Sequence, residues 1–344
     1  MGMAAKGLWG LPGSFGIARL LGSSYALRCI LFHNISTTES PFTKGMNVTI
    51  SPERFEAALR FIVRYYNPVC LEQVLADRYE QKLPPRAMLV TFDDAYKSVV
   101  ELAAPMCHQL GVPAIFFVNA AFLDNQRLAP DNLVCYVANL RGMGAINAAA
   151  RAIRGSQQPE LHFLSDVFSS FFPTISLVER DAFFENLRHS ANINESSMAE
   201  EHNLYLTSKQ LCELASYGFE IGNHTYTHVH CRSLLPEDLD AQIDKNKSEL
   251  ESVSGRKVRA FSQPYGSSLD VTSELIARLQ RSGHEAVFLS ESVANRRDAD
   301  PFHLDRVSAR AQSRDSLFFE IEVLPRLRSI RNQLSAGYGA DQDS

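Results

Sequence analysis

The chain has 344 residues, of which 45% are hydrophobic and 21% charged, and it carries a formal net charge of −5. That composition supports a sizeable buried core in one large α/β unit or two ordinary domains, while the acidic balance argues against nucleic acid as a partner. No apolar run is long enough for a transmembrane helix, and six cysteines without C-x-x-C spacing (Cys29, Cys70, Cys107, Cys135, Cys212 and Cys231) read as buried thiols of a reducing compartment.

Residues 1–25 hold Lys6, Trp9 and a Gly-Leu-Trp-Gly-Leu-Pro-Gly stretch that interrupts any continuous apolar core, so they read as a loosely structured leader and a poor export signal. A cytoplasmic protein is expected, with a peripheral membrane contact through the leader left open. Ala26-Leu27-Arg28-Cys29-Ile30-Leu31-Phe32 is a strand candidate ending on His33. Ser51-Pro52-Glu53 then opens a helix with an N-cap, a proline and a first-turn acid, and its buried stripe is Phe55, Leu59 and Ile62. After a short helix around 71–75, Met88-Leu89-Val90-Thr91-Phe92 forms an apolar strand that stops on two carboxylates, Asp93 and Asp94. Residues 96–110 have a helical pattern with a kink at Pro105, and Ala114-Ile115-Phe116-Phe117-Val118 is a strand of the kind buried on both faces.

Residues of about 124–203 break the strand–helix rhythm and read as an inserted helical subdomain or lid. The rhythm resumes with a Thr207-x-x-Gln210 capping box, buried Leu211 and Leu214, and a strand at 219–221 that runs into His224 and His228. A helix from Pro236 carries Leu239, Ile243 and Leu250 and ends at Gly255. Further strands are expected at 258–261, 286–289 and near 302–307, with a helix over 272–282 between the first two. A last amphipathic helix bears Leu317, Ile321, Leu324 and Leu327, and residues 336–344 read as a disordered tail.

Chemistry concentrates at two places. Neighbouring residues on a strand face opposite ways, so Asp93 and Asp94 are expected to divide the work, one binding a cation and the other handling a proton. His224 and His228 are four apart, which on a helical turn sets both imidazoles on one face, and two imidazoles with one carboxylate suit a divalent metal with open positions. His230 extends the cluster but is expected to point away to the surface.

The chain resembles the polysaccharide deacetylase family, the NodB-homology group of metal-dependent carbohydrate esterases. Thr91-Phe92-Asp93-Asp94, His224-Thr225-Tyr226-Thr227-His228 and Phe261-Ser262-Gln263-Pro264-Tyr265-Gly266 are similar to its three motifs, and the match spans roughly 26–125 and 204–310. The resemblance implies an α/β fold, a distorted (β/α) barrel over residues 26–335 interrupted by the helical insertion. It implies that Asp94, His224 and His228 hold one divalent metal, zinc or else cobalt or manganese. Asp93 would be the base acting on a metal-bound water, and the Tyr265 backbone N–H would stabilise the oxyanion. Where many family members have an arginine bracing the base, Ser262 and Gln263 stand here, so Arg306 is the candidate replacement, with a surface ion pair to Asp305 as its alternative. The general acid would be His33, on a strand end resembling that of exopolysaccharide and poly-N-acetylglucosamine deacetylases, with His303, or neither histidine, as the alternatives. The implied substrate is an N-acetylated amino sugar in a polysaccharide, an oligosaccharide or a glycan precursor. Another ester, a non-sugar amide, or a silent carbohydrate-binding protein are the alternatives.

Overall fold

The structure, a computed structural model, describes residues 25–80, 83–296, 299–310 and 313–340. The leader proposed for residues 1–25 lies outside them except for Tyr25, as do the final residues 341–344. Eleven strands are described: Tyr25–Phe32 (β1), Asn34–Ile35 (β2), Thr49–Ile50 (β3), Asn67–Pro68 (β4), Ala87–Phe92 (β5), Ala114–Val118 (β6), Glu220–Asn223 (β7), Ala260–Ser262 (β8), Ala286–Phe288 (β9), Asn295–Arg296 (β10) and Val307–Ser308 (β11). The main sheet runs β10-β1-β5-β6-β7-β8-β9, and every pairing in it is parallel except that of β10 with β1.

Every residue of β5 and β6 is buried, as expected for strands covered on both sides. Alternate side chains divide between two cores. Met88, Val90, Phe92, Phe116 and Val118 meet the helix Pro52–Tyr65 through Phe55, Leu59 and Ile62, whereas Leu89, Ile115 and Phe117 meet Cys29, Ala260 and Phe288 inside the curled sheet. Gly222 in β7 is required by this curl, because a Cβ there would stand 2.2 Å from the Phe117 ring. The two edges are tied by residues 304–309. Leu304 bridges β9 at Phe288, and β11 pairs in parallel with Ile30 and Leu31 of β1. The result is a distorted parallel half-barrel, the α/β class expected.

Local signals set most boundaries. Ser51 caps its helix by accepting from the Arg54 N–H, Thr207 and Gln210 form the capping box, and Gly255 ends its helix at φ 66°. The helix expected over 96–110 begins at Lys97 and widens into a π turn, Val99–Ala103, before Ala104–Gln109. Pro105 cannot donate to the preceding turn and its ring crowds that turn, so the spiral opens. In the last helical stretch Leu317 and Ile321 are buried but Leu327 is exposed, so the apolar stripe is shorter than expected. The helix Leu324–Ala340 also runs through the first part of the stretch read as a disordered tail.

Residues 126–203 contain helices and no strand. Pro130–Arg141, Met143–Arg154 and Leu177–Ala191 enclose a core of their own around Leu133, Val137, Ile146, Phe171, Phe172 and Phe183. This core continues onto Tyr205, Tyr96 and Tyr265, so the insertion is packed onto the carboxyl ends of the strands.

Candidate active site

The carboxyl ends of β1, β5, β7 and β8 lead into one another's surroundings. Asp93 continues the inward-facing row of β5 and is buried, its N–H bonded to the Phe32 carbonyl at 3.1 Å. Arg306 meets it with two parallel bonds, Nη1 to Oδ1 and Nη2 to Oδ2, both 2.7 Å. That guanidinium also donates to Ser262 Oγ at 2.7 Å and the Leu289 carbonyl at 2.9 Å, and it lies over the Phe117 ring. Arg306 is 1% exposed, so a surface pair with Asp305 is not what the structure contains; the Asp305 carboxylate accepts instead from the Ser292 and Arg306 backbone N–H groups. Burial alone would raise the Asp93 carboxyl, but Arg306, then His224, more than offset it and hold Asp93 below the usual carboxylate range.

Asp94 turns away on a left-handed backbone, φ 71°, followed by Ala95 at 54°. Two such non-glycine residues in succession cost free energy on the order of 1–3 kcal/mol each. They are held by the Ala95 carbonyl accepting from Leu206 N–H and by Lys97 N–H donating to the Leu204 carbonyl. Asp94 Oδ1 lies 3.4 Å from His224 Nε2 and 3.5 Å from His228 Nε2. Burial raises the Asp94 carboxyl, yet the two histidines together hold it well below its ordinary value.

The His224–His228 segment is not a helical turn. It is a loop with Thr225 at φ 59° and His228 at φ 53°, and the two rings come together, centroids 4.9 Å apart, through that contortion. Its scaffold was not readable from spacing: Asn119 donates to the His224 and Thr225 carbonyls, Gln242 accepts from Thr227, and Asn246 joins Asn223 to the Val118 carbonyl. His224 Nδ1 faces the Ser262 carbonyl at 2.8 Å, which makes it the protonated nitrogen and leaves Nε2 a lone pair. His228 Nδ1 contacts Asp131 Oδ2, a residue of the insertion. Burial lowers the His228 imidazole, but Asp131 and Asp94 outweigh it and raise it overall.

One ligand atom from each of Asp94, His224 and His228 lies within 4.8 Å of the others. The donor set fits a divalent metal: two Nε2 lone pairs and a carboxylate converge, while both Nδ1 atoms are engaged elsewhere and the nearby guanidinium is committed to Asp93.

The remaining residues divide. His33 is half-buried at the end of β1, and burial lowers its imidazole against the opposing pull of Asp94 and Asp93. Tyr265 takes φ 62° in the Pro264–Gly266 turn, with its hydroxyl donating to Asp131 Oδ1 at 2.7 Å. His303, by contrast, is exposed and pairs with Asp300 at 3.3 Å. His230 is not at the surface: it is 4% exposed, stacked on Tyr265 at 3.9 Å, and held between Asp270 at 2.6 Å and the Phe168 carbonyl at 2.8 Å. Its ring fills the space between the insertion and the Pro-Tyr-Gly turn, a contact that lies outside any local pattern.

A family model described as polysaccharide deacetylase matches residues 170–287, a stretch that includes His224, His228 and Tyr265 but not Asp93 or Asp94. The chain is 24% identical over 106 residues to YxkH of Bacillus subtilis (strain 168), named provisionally as a polysaccharide deacetylase, and this match covers 31% of the chain and 37% of that relative. Among solved structures, the Streptococcus pyogenes deacetylase PplD in complex with acetate superposes with a TM-score of 0.57 at 13% identity, covering 86% of this chain and 97% of that one. IcaB from Ammonifex degensii superposes with a TM-score of 0.53 at 18% identity, covering 85% and 94%.

Proposed function

We propose that the chain, which resembles polysaccharide deacetylases over residues 170–287 and shares their fold, hydrolyses the acetamide of an N-acetylated amino sugar, releasing acetate and leaving a free amine. The observation that carries this reading is the convergence of Asp94, His224 and His228 beside an Asp93 kept ionised by Arg306. A divalent cation held by those three side chains, zinc in the first place or else cobalt or manganese, would supply a Lewis acid and lower the pKa of water.

Asp93 takes the proton of the attacking water. Its bidentate partner keeps it a carboxylate and points it, and the same guanidinium excludes solvent from its far side. The Tyr265 backbone N–H, on its left-handed turn, serves the carbonyl oxygen as negative charge grows there. His33, whose protonated ring Asp94 and Asp93 favour against its burial, delivers that proton to the nitrogen as the C–N bond breaks.

The test is acetate release from a panel of N-acetylated mono- and oligosaccharides, with zinc, cobalt or manganese added to chelator-treated protein. Release that depends on metal and disappears in Asp93→Asn is expected. Bound metal with no release from any acetylated sugar would overturn the reading in favour of a carbohydrate binder, or of a hydrolase of another ester or amide.

A further inference from the structure

We propose that Asp131, carried to the site by the helical insertion, is a positioning residue for the metal centre: its carboxylate sets the tautomer and direction of His228. This rests on the metal-hydrolase reading above. The two histidines are oriented by different parts of the molecule. His224 gives its Nδ1 to a backbone carbonyl of β8, inside the barrel. His228 Nδ1 lies in contact with Asp131 Oδ2, and the other oxygen of that carboxylate accepts from the Tyr265 hydroxyl at 2.7 Å. One buried carboxylate therefore links a metal ligand to the Pro-Tyr-Gly turn.

Asp131 is well fixed. It sits in the first turn of the helix Pro130–Arg141, where the aligned peptide dipoles favour an anion. Its neighbour Asn132 is tied to the Phe42 carbonyl, the Tyr96 hydroxyl and the Tyr205 hydroxyl at 2.9, 2.8 and 2.5 Å. The insertion also supplies Arg180, buried against Phe172 and Phe184, whose Nη2 donates to the Thr227 and His228 carbonyls at 3.0 and 2.7 Å. The backbone of His228 is left-handed, which aims its carbonyl at that guanidinium. Anion on the side chain and cation on the backbone of one residue both come from the insertion. With Asp131 in place the proton stays on Nδ1 and the Nε2 lone pair faces Asp94; without it either tautomer is open and the ring is free to turn. Partners of this kind are worth about 10–100-fold in metal affinity.

Two measurements test this on the full chain. Nitrogen-15 NMR of the metal-free wild type at alkaline pH, with His228 assigned by comparison with His228→Ala, is expected to show the Nδ1–H tautomer. An Nε2–H tautomer overturns the proposal without any change at Asp131. Calorimetric titration with Zn2+ is then expected to show affinity reduced about 10–100-fold in Asp131→Ala, and by less in Asp131→Asn, whose carboxamide oxygen still accepts from Nδ1. The variant that keeps the wild-type circular-dichroism spectrum in chelator decides, and an affinity equal to the wild type's overturns the proposal. If the wild type binds no Zn2+, the hydrolase reading falls, while the tautomer measurement still judges Asp131.

Discussion

Arg306 and Asp93 meet as a fork on a carboxylate, and Arg306→Lys tests that geometry, since an ammonium keeps the charge but cannot make two parallel bonds. Its kcat for acetate release is expected to fall about 10–100-fold by loss of base orientation. Arg306→Ala, which strands a buried carboxylate, should cost about 3–5 kcal/mol in urea unfolding. An unchanged kcat in the lysine variant would remove the bracing role. His33→Ala should lose about 100–10,000-fold of its activity if the proton comes from that ring, whereas His303→Ala, altering an exposed side chain, should match the wild type. Wild-type rates in His33→Ala would end that assignment. His284 gives a pH test of stability. Its ring is buried, accepting from Asn223 Nδ2 and donating to Ser282 Oγ, and burial, with Lys247 adding to it, lowers the imidazole to about 3. The unfolded ring protonates near 6.5, so its contribution is fully present above that pH and is lost as pH falls toward 3, up to about 5 kcal/mol. His284→Gln should flatten the unfolding free energy across that window; an unchanged slope would show that the ring is not kept neutral.

At the scale of elements, strand ends were readable where the apolar run and its polar terminus are local, as in β5 running into Asp93-Asp94 and β7 into His224. The histidine spacing was readable but its conformation was not. Four residues suggested a helical turn, yet Asn119, Gln242, Asn246 and Arg180 reach in from far along the chain and hold a loop with left-handed backbone at Thr225 and His228. Asp131 and His230 escaped for the same reason, since the residues they touch lie 97 and 40 positions away (228 − 131 and 270 − 230) and no period connects them. The Pro264–Gly266 turn offers an element-level test. A Cβ at Gly266, at φ +68°, would stand 1.8 Å from Ser290 Oγ and 2.7 Å from the Ser290 backbone nitrogen. Gly266→Ala should therefore displace the Tyr265 turn, costing about 1–3 kcal/mol in stability and lowering kcat more than it raises KM. Unaltered kinetics would show that the turn does not bear on the reaction.

Across the whole molecule, the three side chains proposed to hold a cation come from two different strand ends, and one of them lies against a helical segment with its own core. Binding only to that folded arrangement, a metal at 100 times its Kd should stabilise by about 2.7 kcal/mol. Thermal melts in chelator and in excess Zn2+ should separate accordingly, and coincident melts would argue against an assembled site. The edges of the sheet, however, are joined by residues 304–309, the segment that also carries Arg306. Translation proceeds from the amino end, so the cation ligands leave the ribosome well before that guanidinium does. A chain ending before position 304 would lack both the segment that joins the two sheet edges and the guanidinium that faces Asp93, so closure of the sheet and neutralisation of its buried carboxylate arrive together, late in synthesis.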